Sequence, residues 1–241
     1  IKKKKKTRRG IFRLMIINDK HLSFYKINGF LKVSNFFTSI ELNQLKKNLL
    51  EINNLEPKIG KEMIYFDKKK KKIFLTRTEN FIKFHKNFKK FLKKKKLVNL
   101  IDKILGKKSI LFKDKINWKY PGADGFEPHQ DAQVWEYLYP KIKSFVSLSI
   151  SINETNIKNG CLKVVRKKHT NGLLGDNKSS INEKIVKQFK WENILTKPGD
   201  IVFFDSYTPH MSGPNRSKKS GKIIYLTYNA KKDGNLKEAY F

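Results

Sequence analysis

A mainly β fold, an antiparallel sandwich or barrel braced by N-terminal helices, is the class that this 241-residue chain predicts. Three observations point there. Beyond residue 108, short segments rich in β-branched and aromatic residues follow one another: "SILFKDKINWKY", "SFVSLSISIN", "GCLKVV", "DIVFFDSY" and "KIIYLTYNA", with Gly, Pro, Asn and Asp in the gaps. The first hundred residues read mainly as helix, and helices followed by strands favour a segregated arrangement. An apolar fraction of 39%, with 18 Phe and 9 Tyr, suffices for the core of one large domain.

Taken in order, Asn18 can cap a short helix through Tyr25, which "NGF" at 28–30 ends. "FLKVSNFF" at 30–37 alternates like a strand. Thr38 and Glu41 form a capping box, in which each side chain satisfies a backbone N–H near the other. Behind it Ile40, Leu42, Leu45, Leu49, Leu50 and Ile52 keep an approximately helical spacing. "TENFIKFHKNFKKFLKKKKLVNLIDKILG" reads as one or two amphipathic helices stopped at Gly106, with His85 packed or at the surface. The lysine runs at 68–72 and 93–96 read as a solvated hairpin or loop and an exposed helix end. Phe145, Ser147, Ser149 and Ser151 can line one face, with Val146, Leu148, Ile150 and Ile152 on the other; the Ser149 and Ser151 hydroxyls face either a cavity or a solvated surface. Residues 171–184 read as a surface loop, and Pro198-Gly199-Asp200 as a turn into a buried strand. One domain is expected over 15–241: 15–108 as helical support, 109–230 as the β core and 231–241 as a tail. Residues 1–14, basic and ahead of Met15, are expected to be a non-native or disordered leader.

The net charge is +33, yet Arg stands only at 8, 9, 13, 77, 166 and 216; every other basic residue is Lys. Base readout and phosphate forks prefer Arg, so the charge is read as solvated surface rather than a nucleic-acid footprint. Cys161 is alone, which excludes an intramolecular disulfide and a Cys-rich zinc site. No segment approaches the length needed to span a bilayer. A cytoplasmic protein is expected.

Chemistry concentrates in "PGADGFEPHQDAQVWEYLYP". His129 and Asp131 are two apart, so on an extended strand they share one face. A third ligand is available in His210 of "DSYTPHMSGPNRS". Two His and one carboxylate make the facial triad of non-haem Fe(II) oxygenases, with positions left open for co-substrate and O2. Because Asp131 supplies the carboxylate, no halide can simply take that position, which argues against a halogenase.

Four motifs, "FYKINGFLKVSNFF", "KINWK…GFEPHQD", "NGCLKVV…H" and "KPGDIVFFDSYTPHMSGPNRS…YLTYN", together resemble the phytanoyl-CoA dioxygenase family of Fe(II)- and 2-oxoglutarate-dependent oxygenases. The resemblance implies a double-stranded β-helix, the cupin-like jelly roll, with His129, Asp131 and His210 on Fe(II). It implies 2-oxoglutarate as co-substrate with O2, and Asn117 as a contact of its distal carboxylate. The family's basic partner of that carboxylate falls at Gly221 here. Lys222 is therefore the first substitute and Arg216 the second. Trp118, Trp135 and Tyr137, with Tyr120, flank the metal triplet and are candidates for the pocket wall; half of these aromatics are expected to be core. His169 is read as structural.

The expected reaction is hydroxylation of a C–H bond in a small organic substrate, anionic or zwitterionic, with decarboxylation of 2-oxoglutarate to succinate. "KINWKYPGADGFEPHQD" is similar to the family's bacterial small-molecule branch, aminophosphonate hydroxylases included. The alternatives are an oxygenase acting on protein or nucleic acid, and a degenerate jelly-roll binding protein.

Overall fold

The computed structural model describes residues 17–69, 72–142, 144–175 and 180–241. The expected leader 1–14 lies outside them, as do Lys70 and Lys71 in the first lysine run. Two antiparallel sheets face each other. The larger orders its strands β1 (Phe30–Val33), β9 (Ile201–Asp205), β6 (Phe145–Ser151), β11 (Gly221–Ala230), β4 (Ser109–Lys119), β3 (Lys72–Glu79) and β2 (Met63–Lys69). The smaller orders β5 (Phe126–His129), β10 (His210–Ser212), β7 (Leu162–Val164) and β8 (Glu192–Ile194). From β4 to β11 the chain repeatedly crosses between the two sheets, which is the double-stranded β-helix.

Period-two alternation sorts the larger sheet's side chains. Ile116, Leu148, Phe203, Ile224 and Leu226 point away from the smaller sheet and join the main core against the helices. On the neighbouring positions Val202 and Phe204 face inward and meet Leu162 and Val164 across the sandwich. Ser147, Ser149 and Ser151 also face inward and are buried, at 2%, 4% and 2% exposure, which excludes the solvated-face alternative.

Helices α1 (Asp19–Asn28), α2 (Ser39–Asn53), α3 (Lys86–Leu92) and α4 (Lys95–Leu105) cover the outer face. Asn18 caps α1, and the Thr38–Glu41 box caps α2 with both reciprocal bonds present. In α2 the buried stripe is Leu42, Leu45, Leu49 and Ile52, while Ile40 and Leu50 fall off its angle and are exposed. Fully burying Leu45 and Leu49 contributes on the order of 2 kcal/mol each. Gly106 ends α4 in the left-handed conformation. His85 caps no N–H; it packs with its Nε2 3.8 Å from Glu62 Oε2.

One expectation changes. Residues 63–79 are not helical support but a β2–β3 hairpin that widens the larger sheet, pairing with β4 from Arg77↔Asn117 to Glu79↔Lys115. Past Glu79 the chain leaves the sheet, and the first half of β4 loses that neighbour. The remaining helices are short: α5 (Ala132–Leu138), α6 (Glu183–Val186) and α7 (Lys237–Tyr240). No helix among the described residues is long and apolar enough to cross a membrane.

Candidate active site

His129 ends β5 and His210 begins β10, and the two are direct register partners. Their rings lie 4.2 Å apart between centroids. Asp131 is not on the strand, as its spacing from His129 predicts; it stands just ahead of α5 with helical φ −56° and ψ −34°. The turn nevertheless brings its Oδ1 to 4.0 Å from His129 Nε2 and 3.8 Å from His210 Nε2. One ligand atom from each residue lies within 4.8 Å of the others.

Neighbouring groups prepare each ligand. His129 Nδ1 is 2.7 Å from the Glu127 carbonyl and His210 Nδ1 is 2.9 Å from that of Thr208. Donation from Nδ1 leaves the Nε2 lone pairs free for a metal. Ser147 Oγ donates to Asp131 Oδ2 at 2.8 Å, which leaves Oδ1 on the histidine side. Burial, followed by the charge of His210, holds His129 down to about 4, so its imidazole is neutral at pH 7. Burial alone would raise Asp131, but His210, His129 and Lys115 outweigh it and keep the carboxylate ionised. Ser147→Ala is expected to weaken iron affinity about tenfold or more, the order that outer-shell changes cost, as read by metal titration.

Two glycines clamp the strand that carries His210. A Cβ at Gly125 would lie 1.9 Å from the Ser212 carbonyl oxygen, and one at Gly160 would lie 2.1 Å from that of Gly213. Only a bare backbone on both flanks lets β10 sit this close to its neighbours.

The ligands open onto a cavity of about 490 Å³, a volume suited to a small molecule. Its floor is the inner face of β4 and β11, where Lys113, Lys115 and Asn117 pair with Thr227, Tyr225 and Ile223. Asn117 lines the cavity, and its Oδ1 is buried without a partner among the described residues. Ser212, two residues beyond His210, lines it too. The donors beside the metal ligands, the Asn117 Nδ2 amide and the Ser212 hydroxyl, fit an anionic co-substrate.

Other candidates lie elsewhere. Lys222 is one residue off the inward register: its ammonium sits 5.5 Å over the Trp118 ring, on the helix-facing side. Arg216 is exposed on the loop after β10 and does not line the cavity. Trp118 is in the helix-facing core, donating to Thr78 Oγ1 at 2.9 Å. Asn117 and Trp118 are adjacent on a strand, so only one of them can face the cavity. Tyr137 is 53% exposed, and Tyr120 stacks on Phe74 at 4.0 Å. Trp135 does line the cavity. His169 buttresses the turn after α1, with Nε2 3.1 Å from the Lys26 carbonyl. Arg77, Lys113, Lys115 and Ser147 line the cavity without having been candidates. Their signal was the alternation of Lys113, Lys115 and Asn117 through a strand whose other face is core.

Two imidazoles and a carboxylate converging at a cavity define a non-haem Fe(II) oxygenase centre. The family model described as phytanoyl-CoA dioxygenase (PhyH) matches residues 25–223. The chain belongs to this family, and it is a non-haem Fe(II)- and 2-oxoglutarate-dependent dioxygenase acting on a small substrate. It is 32% identical to a methylphosphonate hydroxylase of Gimesia maris, over 93% of this chain and 85% of the relative. It is also 32% identical to a 2-aminoethylphosphonate dioxygenase of an uncultured bacterium, over 90% of this chain and 83% of the relative. Among solved structures, EctD from S. alaskensis with 2-oxoglutarate and 5-hydroxyectoine superposes with a TM-score of 0.78 at 16% identity, covering 89% of this chain and 76% of that one. That likeness is of fold.

Proposed function

We propose that the substrate is a small organophosphonate, hydroxylated at a carbon beside the phosphonate group. The observation that carries this is the set of cations on the cavity wall: Arg77, Lys113 and Lys115 all line the space that the metal ligands open onto. Glu79 engages the first two, at 3.3 Å from Arg77 and 3.6 Å from Lys113. Lys115 makes no ion pair among the described residues; its ammonium lies about 5 Å from the Phe126 and Tyr225 rings, at 5.0 and 5.1 Å. A cation lining the cavity without an ion pair of its own favours a dianion over a neutral ligand. The two phosphonate-acting relatives support the same choice.

When bound, Fe(II), 2-oxoglutarate and O2 supply the oxidant: one oxygen atom goes to the substrate carbon and the other to succinate, with loss of CO2. The protein's own part is to hold the anion so that the C–H bond faces the triad. For the co-substrate we assign Asn117, Ser212 and Lys119 to the distal carboxylate. Lys119 stands directly across from Gly221 on the same face, and its Nζ reaches Ser212 Oγ at 3.3 Å. Its other acceptors are the neutral carbonyls of Gly160 and Gly213, at 2.7 and 2.6 Å. Lys119→Met should weaken 2-oxoglutarate binding to the Fe(II) protein in anaerobic calorimetry.

The direct test is succinate formation with Fe(II), 2-oxoglutarate and either methylphosphonate or 2-aminoethylphosphonate. Turnover with carboxylate analogues but with no phosphonate would overturn the assignment. A pH signature should accompany it. Burial first, then Lys113, holds Lys115 down to about 8 against the pull of Asp131 and Glu79. The cation is present below that pH and lost above it, so phosphonate affinity is expected to fall as pH rises through about 8. Lys115→Arg, whose charge persists past 12, should remove that fall.

A further inference from the structure

The C-terminal segment, expected to be a tail, reaches into the active-site cavity. Tyr240 lines it together with Lys113 and Trp135. The segment crosses β4 where β3 has already turned away, and it is fastened at several points. Lys237 Nζ pairs with the carboxylate of Asp114, a fully buried residue that also accepts the Ile82 N–H at 2.9 Å. Asn229 Nδ2 donates to the Gly234 carbonyl at 3.1 Å, and Tyr139 donates its hydroxyl proton to that of Leu236 at 3.4 Å. Asp114 and Lys113 lie on opposite faces of β4, so the segment grips the strand from one side and presents Tyr240 on the other.

On the cavity side the Tyr240 ring packs against Phe112 at 4.9 Å between centroids. Its hydroxyl accepts from Lys113 Nζ at 2.6 Å, which leaves its own proton free to be given away. Lys113 keeps its charge: burial pulls its pKa down, but Glu79 and Tyr240 more than offset that. An ammonium and a phenol side by side present convergent donors to a tetrahedral oxyanion.

Resting on the phosphonate assignment above, we propose that Lys113 and Tyr240 form the subsite that receives the phosphonate oxygens. The C-terminal segment thereby becomes a specificity element of the pocket. Lys115 then neutralises the same anion from the metal side.

The test is anaerobic calorimetry of methylphosphonate binding to the full chain loaded with Fe(II) and 2-oxoglutarate. Tyr240→Phe keeps the ring on Phe112 and removes only the hydroxyl; Lys113→Met removes the cation. Each is expected to weaken methylphosphonate binding tenfold or more, the order of a hydrogen bond involving a charged group. The visible charge-transfer absorption of the Fe(II)–2-oxoglutarate chelate should titrate as in the unaltered protein. Unchanged methylphosphonate affinity in Tyr240→Phe overturns the subsite alone. Absence of methylphosphonate binding by the unaltered protein overturns the phosphonate assignment and the subsite with it. Equal weakening of the 2-oxoglutarate titration shows a general disturbance of the site and also overturns it.

Discussion

Asp131→Ala is expected to abolish iron retention and succinate formation together. The loss should exceed the roughly 10–100-fold cost of outer-shell changes, because the variant removes a ligand rather than a support. Asp131 is also the point where the site's preparation converges: both Nε2 atoms face its Oδ1 while Ser147 holds Oδ2. Without that carboxylate only the two imidazoles remain, and a hard ferrous ion loses its anionic donor. Iron content after gel filtration and succinate yield are the two readouts. A melting midpoint taken alongside separates a lost ligand from a lost fold, and retained iron with normal turnover would contradict the assignment of the centre.

Phe112→Ala is expected to cost about 3–5 kcal/mol, the range for a buried Phe truncated in a core. For a chain of this size that is a fall of about 6–20 °C in melting temperature. The reason is local. Phe112 is fully buried and touches four other rings: Trp135 at 5.5 Å, Tyr139 at 5.9 Å, Phe145 at 5.1 Å and Tyr240 at 4.9 Å. Few neighbours can move in to fill the gap, because most of them are anchored by other elements. Trp135 and Tyr240 line the cavity, so the variant should also raise the KM for substrate more than it weakens iron binding. Thermal unfolding and steady-state kinetics at a temperature below the lowered midpoint check both parts.

The iron centre was legible in sequence because its ligands are rare residue types set at element ends, where turns and strands punctuate the pattern. Even there the stated geometry was partly wrong, since Asp131 reaches the site from a helical turn. Lys119, the residue we propose as the co-substrate's basic partner, was not legible as one. Gly221 and Lys222 are adjacent, and whether a side chain meets the cavity or the helices turns on a single step of register. Trp118 failed for the same reason beside Asn117. Of the β2–β3 hairpin only the lysine run at 68–72 gave a sign, read as a hairpin or loop; its strands were hidden because an edge hairpin buries little and lysines at its exposed positions mask the alternation that marks an inner strand. The same abundance of lysine made Lys113 and Lys115 look like solvated surface, although every second residue from Lys113 faces the cavity side of β4. Tyr240 could not be placed at all, because four residues of helix after a turn carry no signal of what they cover.

The bare backbones at positions 125 and 160 also govern what can be changed. Even alanine at either one must push aside a carbonyl at the end of a three-residue strand, Ser212 for the one and Gly213 just past it for the other, and that strand's head carries the imidazole of His210. Anyone randomising this enzyme to accept new compounds will meet two dead ends at sites that touch neither iron nor substrate. Productive variation lies instead with the detachable walls, where side chains can be exchanged without shifting the ligands behind them.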